Sequence, residues 1–159
     1  MTGLRVISGG QTGVDRAALD AARAAGLAIG GWCPRGRLAE DGTIPAIYPL
    51  RETPGREPAA RTRANVAEAD ATLILVPGAD SATWGEGTRL TREFARDLGK
   101  PFHVAVLRDD ADVAARNGVR AWLRACRAAT LNVAGPRESI APGIYALAHP
   151  FLVRLFATL

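Results

Sequence analysis

The chain has 159 residues, which is the length of one ordinary domain and is enough to bury a core of its own. Apolar residues make up 48% of it, so the composition excludes an intrinsically disordered protein. The net charge of +4 is mild and no stretch interleaves consecutive arginines with aromatic residues, which argues against nucleic acid as a partner.

Apolar, strand-like segments alternate with helical patterns along the whole chain. This alternation predicts an α/β fold: a single Rossmann-like domain over 1–159, with a central parallel sheet of at least five strands and helices on both faces. The predicted strands cover 4–8, 28–32, 72–76, 102–106 and 130–133. The predicted helices cover 13–25, 59–68, 87–98, 112–127 and 143–156. The segment 33–58 is too long for a plain connection, and long loops in compact domains are usually functional or mobile.

A glycine-rich turn, S-G-G-Q-T-G-V-D over 8–15, joins the first strand to the first helix. Such strand–turn–helix units bind phosphate, because the helix N-terminus presents free N–H groups to an anion. Gly10 is expected to let a ligand approach the backbone, and Thr12 with Asp15 predicts a capping box and a helix start near Gly13. The predicted phosphate contacts are Gly9, Gly10, Gln11, Thr12 and Gly13.

The match to a dinucleotide fingerprint is only partial. Ser8 stands where the first glycine belongs, and no acidic residue follows the second strand to hold a ribose. Arg35 and Arg37 occur there instead, and guanidinium groups suit phosphate. The sequence therefore disfavours an NAD enzyme and makes both arginines candidate charge partners of an anion. The alternative is a tight turn without a ligand.

A second glycine-opened helix follows the third strand, at Gly85-x-Gly87-Thr88. Ligands of such sheets lie beyond the carboxyl ends of the strands, so both helix starts are expected to clamp one anion. Arg137, after the fifth strand, is a further candidate charge partner. The alternative is that these glycines only shape the loop, and Trp84 either stacks on a ring of the ligand or plugs the core.

Several segments together resemble the molybdenum-carrier family. They are I-S-G-G-Q-T-G-V-D-R-A-A-L-D over 7–20, G-W-C-P-R-G-R over 31–37, A-E-D-G over 39–42, R-T-x-x-N-V over 61–66, G-T-x-L-T over 87–91, and N-V-A-G-P-R-E-S over 132–139. This family is related to the LOG-type nucleoside-monophosphate phosphoribohydrolases. The resemblance implies a Rossmann-like fold and a small anionic ligand, either a nucleotide or the molybdenum cofactor.

The hydrolases of that wider group carry P-G-G-x-G-T-x-x-E, in which the final glutamate assists cleavage. Thr91 occupies that position here, and a threonine cannot act as a carboxylate base. Glu86, Glu93 or Glu138 could replace it only through a different geometry, and Glu86 and Glu138 are the weak catalytic candidates. The sequence thus favours a binding protein, a carrier or sensor for a phosphorylated ligand, and leaves a nucleotide-cleaving enzyme as the alternative.

Other polar residues allow two interpretations each. Asp15 is either a cap or a contact to metal or ribose, and Glu40 with Asp41 forms either a solvated turn or a magnesium site. Arg61 and Asn65 lie at i and i+4 on one helix face. They either lean into the site or hold the loop before them.

The remaining expectations concern metal, location and assembly. Cys33 and Cys126 form no CxxC, and with two scattered histidines no metal site is predicted, although Cys33 follows the second strand near the site. No signal peptide and no membrane span are expected, which predicts a cytoplasmic protein. The helix over 143–156 is apolar on more than one face, which predicts a homodimer or a higher homo-oligomer.

Overall fold

A five-stranded parallel sheet lies at the centre of the computed structural model, which describes residues 3–109 and 111–159. The strands are β1 (Arg5–Ile7), β2 (Ala28–Gly30), β3 (Trp32–Cys33), β4 (Leu38–Ala39), β5 (Gly42–Thr43), β6 (Arg51–Glu52), β7 (Ala71–Val76), β8 (Phe102–Val106) and β9 (Thr130–Ala134). The central sheet has the order β2-β1-β9-β7-β8, and all its pairings are parallel. The predicted fold class is confirmed.

Five helices pack on the two faces of this sheet. They are α1 (Val14–Ala24), α2 (Pro58–Glu68), α3 (Glu86–Asp97), α4 (Val113–Cys126) and α5 (Ile144–Phe156). Side chains of β7 alternate between two apolar clusters: Leu73 and Leu75 pack with residues of α1, α4 and α5, whereas Ile74 and Val76 pack with Trp84. The helices α2 and α3 contact each other. In the described parts of the chain, no helix is long and apolar enough to cross a bilayer.

The second predicted strand is divided in two. Only β2 joins the central sheet, while β3 pairs with β6 in a separate two-stranded sheet. Gly31 separates them with φ of +131°, and a Cβ atom at this position would collide with the carbonyl oxygen of Ser8. The prediction over 28–32 missed this break, because a glycine that must lie against a neighbouring backbone gives no periodic signal.

The terminal helix α5 packs mainly within its own chain, and the homo-oligomer stays a prediction. Phe151, Leu152 and Leu155 are fully buried in the main core together with residues of α1 and α4. Among the large apolar residues of α5, Val153 is exposed, at 36% of its surface. Much of its apolar surface therefore packs against neighbouring helices of the same chain.

A carboxylate on α1 fastens two distant segments. Asp20 accepts hydrogen bonds from the hydroxyl groups of Tyr48, at 2.8 Å, and of Tyr145, at 2.6 Å. Burial first, and then the hydrogen bond to Asp20, raise the pKa of Tyr48 to about 12. The same causes raise the pKa of Tyr145.

These shifts predict a loss of stability in alkali. A phenol in an unfolded chain ionises near pH 10, so its stabilisation is complete below that pH and is lost as pH rises towards 12. Each raised group costs about 1.4 kcal/mol per pH unit in that window. We expect Tyr48→Phe to flatten the fall in unfolding free energy above pH 10, as measured by urea titration at successive pH values. Equal slopes for both proteins would contradict this expectation.

Candidate functional site

A cavity of about 220 Å³ opens where β1, β9 and β7 end. This is the carboxyl edge of the three middle strands, where ligands of open α/β sheets bind. The lining comes from β9, from the segments that follow β1, β7 and β9, and from α1, α2 and α3. It comprises Gly9, Gln11, Asp15, Pro58, Arg61, Thr62, Asn65, Trp84, Gly85, Glu86, Gly87, Thr88, Thr91, Asn132, Ala134, Gly135, Arg137 and Ile140.

The N-terminus of α3 forms one side of the cavity. Gly85 is the N-cap residue and supplies no side-chain cap, and the first backbone hydrogen bond of the helix runs from Arg89 N–H to its carbonyl. The N–H groups of Glu86, Gly87 and Thr88 lie in the first turn, where an α-helix provides no acceptor for them. These donors and the helix dipole make this side attractive to an anion.

The turn between β1 and α1 differs from the start of α3, because several of its backbone N–H groups already donate hydrogen bonds within the protein. Gln11 N–H donates to Asp15 Oδ2 at 3.2 Å, and Thr12 N–H donates to Gln11 Oε1 at 3.0 Å. Val14 N–H donates to the carbonyl of Pro136. The capping-box prediction was wrong: Gly13 is the N-cap, without a side-chain cap, and the hydroxyl of Thr12 donates to Glu40. The N–H groups of Gln11, Thr12 and Val14 therefore already have acceptors within the protein.

Two glycines of this turn allow other segments of the chain to pack closely against it. A Cβ atom on Gly10 would meet Leu50 Cδ1 at 2.5 Å, so Gly10 lies against the loop over 44–50. A Cβ atom on Gly13 would collide with the carbonyl oxygen of Pro136. Neither glycine lines the cavity, whereas Gly9 does. A bulky residue at position 10 would consequently disturb the fold, not merely block a ligand.

A buried pair of opposite charges lies beside Gly9. Asp15 is 8% exposed and Arg61 is 9% exposed, and the guanidinium of Arg61 donates to the Gly9 carbonyl at 2.9 Å. A Cβ atom on Gly9 would meet Arg61 Nη1 and Asp15 Oδ2, each at 2.8 Å. Burial raises the pKa of Asp15, and the charge of Arg61 partly offsets that rise. The pair thus brings both charges to one wall of the cavity.

Arg137 forms a second charged contact, at the rim. Its Nε lies 3.3 Å from Glu40 Oε2, and about half of its side chain is exposed. Glu40 also accepts hydrogen bonds from the hydroxyls of Thr12 and Ser139 and from Ser139 N–H. Burial raises the pKa of Glu40, but these hydrogen bonds and Arg137 outweigh it and lower the pKa overall. Glu40 therefore holds the β4–β5 hairpin onto the loop that follows β9.

The two arginines that follow the second strand do not line the cavity. Arg37 donates to the carbonyl oxygens of Ile44, Pro45, Tyr48 and Leu50. All three of its side-chain nitrogens donate to that loop, so Arg37 stabilises the loop. Arg35 is exposed, and its backbone N–H donates to the Gly55 carbonyl.

The two carboxylates considered as catalytic groups, Glu86 and Glu138, do not lie together in the cavity. Glu138 accepts hydrogen bonds from Gly143 N–H at 2.6 Å and from Tyr145 N–H at 3.1 Å, which caps the start of α5. Glu86 lines the cavity and is exposed. Thr91, at the position of the hydrolase glutamate, lines the cavity and donates to the Gly87 carbonyl. The carboxylate buried in the wall is instead Asp15.

Three further residues define the floor and walls. Asn132 lies in the middle of β9, is 2% exposed and donates to Thr72 Oγ1 at 3.4 Å. The site prediction missed it, although an amide inside an otherwise apolar strand is a detectable signal. Asn65 bonds both the N–H and the carbonyl of Trp32 and also lines the cavity. Trp84 is 2% exposed and donates to the Gly78 carbonyl, so it is mainly a core residue.

Cys33 and Asp41, which were considered as possible metal ligands, have other surroundings in the structure. Cys33 is buried in an apolar cluster with Leu19, Ile44, Tyr48 and Leu50. Burial raises the pKa of its thiol. Asp41, considered above as a magnesium ligand, pairs with both terminal nitrogens of Arg16. Within residues 3–109 and 111–159, no group of three acidic, histidine or cysteine side chains is arranged to hold a metal ion.

The fold and the sequence match a solved protein over nearly the full length. That protein, from Syntrophus aciditrophicus SB, is called "Putative molybdenum carrier protein" and its crystal structure was determined at 1.45 Å resolution. The two chains are 37% identical, and the match has a TM-score of 0.87 over 97% of this chain and 95% of the other. The resemblance inferred from the motifs is thereby confirmed.

A comparison with curated protein sequences gave no significant match. A family model described as "Circularly permutated YpsA SLOG family" matches residues 6–156. This match covers the central sheet except for its first residue, Arg5, the helices α1 to α5 and every residue that lines the cavity. The chain therefore belongs to the circularly permutated YpsA SLOG family.

Proposed function

We propose that this protein binds a small phosphorylated ligand in the cavity, as a carrier or sensor that does not cleave it. The observation that carries the proposal is the α3 N-terminus: Glu86, Gly87 and Thr88, whose N–H groups have no acceptor within the helix, line a cavity that Arg137 also lines. A phosphate there gains hydrogen bonds, the helix dipole and a guanidinium together. Gly87 has open space around its α carbon, so a ligand can approach the backbone closely.

The size of the cavity limits the ligand. Pockets for drug-sized molecules have volumes of about 300–1,000 Å³, and this cavity has about 220 Å³. A mononucleotide with part of its surface exposed suits that volume better than a dinucleotide does. The lining also offers hydroxyl and amide groups, from Thr62, Thr88 and Asn132, for the remainder of such a ligand.

The name of the Syntrophus protein makes a molybdenum compound a second probe. The lining described here contains arginine, amide and hydroxyl groups and no cysteine, so it suits the phosphate of a molybdopterin or the oxygens of molybdate. It offers no thiolate for direct bonding to the metal. In this proposal such a compound is cargo, held through its anionic oxygens by the N–H groups of α3 and by Arg137.

Arg137→Ala tests the proposal with a matched control. We expect the affinity for AMP to fall about tenfold, because one charge-assisted hydrogen bond of the half-exposed arginine is lost. Arg35→Ala removes an arginine outside the cavity and is expected to leave the affinity unchanged. Calorimetric titration with AMP, inorganic phosphate and molybdate measures all three proteins.

The outcomes separate the proposal from its rivals. An equal loss in both variants would mean that the arginines act only through net charge. Recovery of AMP intact after incubation is expected for a carrier, and release of adenine would instead establish a nucleotide-cleaving enzyme. Absence of binding to any of the probes would overturn the proposal.

A further inference from the structure

The two sides of the cavity have opposite chemical character. On the side of β7, the start of α3 presents backbone donors. On the side of β1, the carboxylate of Asp15 lines the cavity. Strand β9 lies between β1 and β7 in the sheet, so Asn132 separates the two sides. A ligand that spans the cavity therefore meets the backbone donors of α3 at one end and the carboxylate of Asp15, beside Arg61, at the other.

The β1 side is unsuited to a phosphate. The N–H groups of Gln11, Thr12 and Val14 are already bonded within the protein. A phosphate here would lie beside a buried carboxylate, and like charges in a poorly solvated site repel strongly. Arg61 offsets part of this charge, but its Nη1 already donates to the Gly9 carbonyl.

Asp15 nevertheless lines the cavity, where it is 8% exposed and already accepts a hydrogen bond from Gln11 N–H. The position next to it is Gly9, where even a Cβ atom would come within 2.8 Å of Asp15 Oδ2 and of Arg61 Nη1. The absence of a side chain at Gly9 leaves the carboxylate at the surface of the cavity. A carboxylate in this setting accepts hydrogen bonds well, because little water competes for it.

We infer that Asp15 selects the ligand by accepting hydrogen bonds from its uncharged donor groups, the hydroxyls of a sugar or an amino group of a base. This inference rests on the proposed function, which places the phosphate at the start of α3. It assigns the ligand class as a nucleoside monophosphate with its phosphate and its donor groups at opposite ends of the cavity. Asp15 then fixes the orientation of the ligand and rejects nucleotides whose donors are missing.

The variant Asp15→Asn distinguishes a role of Asp15 in recognising the ligand from a role in stabilising the fold. An asparagine has nearly the same shape, and its carbonyl oxygen can still accept the N–H of Gln11. Its other terminal group is an amide that donates, so it opposes a donor on the ligand. Because burial already raises the pKa of Asp15, a neutral side chain is expected to be tolerated in the fold. Thermal unfolding of the variant verifies this point.

The experiment is a calorimetric titration of the parent protein and Asp15→Asn with four probes: AMP, 2′-deoxy-AMP, purine riboside 5′-monophosphate, which lacks the amino group, and inorganic phosphate. For the parent protein we expect AMP to bind at least about tenfold more tightly than one of the two analogues, and that analogue identifies the donor. In Asp15→Asn this preference is lost and AMP weakens by a similar factor. The affinity for inorganic phosphate stays the same or rises.

Glu86→Gln is the matched control, because it removes the other carboxylate that lines the cavity. Its charge lies beside the α3 N-terminus, so all four anionic probes are expected to bind more tightly while the preference among them persists. The inference is overturned if the parent protein binds AMP and both analogues equally. It is also overturned if Asp15→Asn weakens AMP and inorganic phosphate by the same factor. If the parent protein binds none of the four probes, the proposed function itself fails, and this inference fails with it.

Discussion

Replacing Gly87 by leucine is expected to reduce the affinity for AMP by about 100-fold or more while leaving the protein at least as stable as the parent. Gly87 lines the cavity in the first turn of α3. A Cβ atom there would find no atom within 4 Å, so a side chain can be added without a clash. The leucine side chain would occupy the space that a phosphate needs in order to reach the backbone N–H groups.

Stability should not fall, because leucine is a better helix former than glycine. The gain is about 0.5–1 kcal/mol at a helical position. Gly118→Leu is the matched control: Gly118 lies in α4, is exposed and also has open space around its α carbon. It gains the same side chain far from the cavity lining, so AMP affinity should be unchanged. Calorimetry measures the effect of both variants on binding, and thermal unfolding measures their effect on stability. Undiminished AMP binding by Gly87→Leu would show that the phosphate does not bind at the start of α3.

Removing Arg61 is expected to destabilise the fold by about 2–3 kcal/mol. Its guanidinium donates to the Gly9 carbonyl at 2.9 Å and opposes the buried charge of Asp15. Without it, a buried carbonyl loses its donor and a buried carboxylate loses its counter-charge, which are costly changes. Arg63→Ala, an exposed position on the same helix, is expected to change stability by less than about 0.5 kcal/mol.

A double-mutant cycle tests the electrostatic part of this claim. If Arg61 mainly neutralises Asp15, then adding Asp15→Asn to Arg61→Ala should restore at least about 1 kcal/mol of the lost stability. Urea unfolding of the parent protein, both single variants and the double variant gives the coupling free energy. Simple additivity of the two changes would show that Arg61 acts only through the Gly9 carbonyl.

The secondary structure was predictable because its signals are local. Every predicted helix agrees with the structure to within one residue at each end, and four of the five predicted strands agree equally well. Periodic apolar residues such as Leu73 and Leu75 on β7 are sufficient for this purpose. The failure at 28–32 arose where Gly31 lies against Ser8, a contact between segments that are distant in the sequence.

The candidate site was predictable only in part, because two glycine-opened turns look alike in sequence. The turn after β1 has its donors bonded to Asp15 and Gln11, whereas the start of α3 has no such acceptors within its own turn. Arg37 resembles a phosphate ligand until its four carbonyl partners are known. These outcomes depend on which segments meet in space.

Tertiary packing also decides which face of an element is buried. The spacing of Arg61 and Asn65 shows that they share a helix face. Both residues line the cavity, and their side chains bond the backbone of Gly9 and Trp32 rather than the loop before their helix. The apolar character of α5 likewise does not identify what covers its faces within the chain. Its faces are covered by α1 and α4, which no property of its own sequence reveals.

In the proposed function, the N-terminus of α3 binds the phosphate of the ligand. The most direct measurement is an amide NMR titration of the isotope-labelled protein with AMP. We expect the largest shifts at the backbone amides of Glu86, Gly87 and Thr88, with small changes at Gln11 and Thr12, whose N–H groups are already bonded within the protein. If the largest shifts occur at residues 9–13 and the amides at the start of α3 are unchanged, the phosphate does not bind at α3.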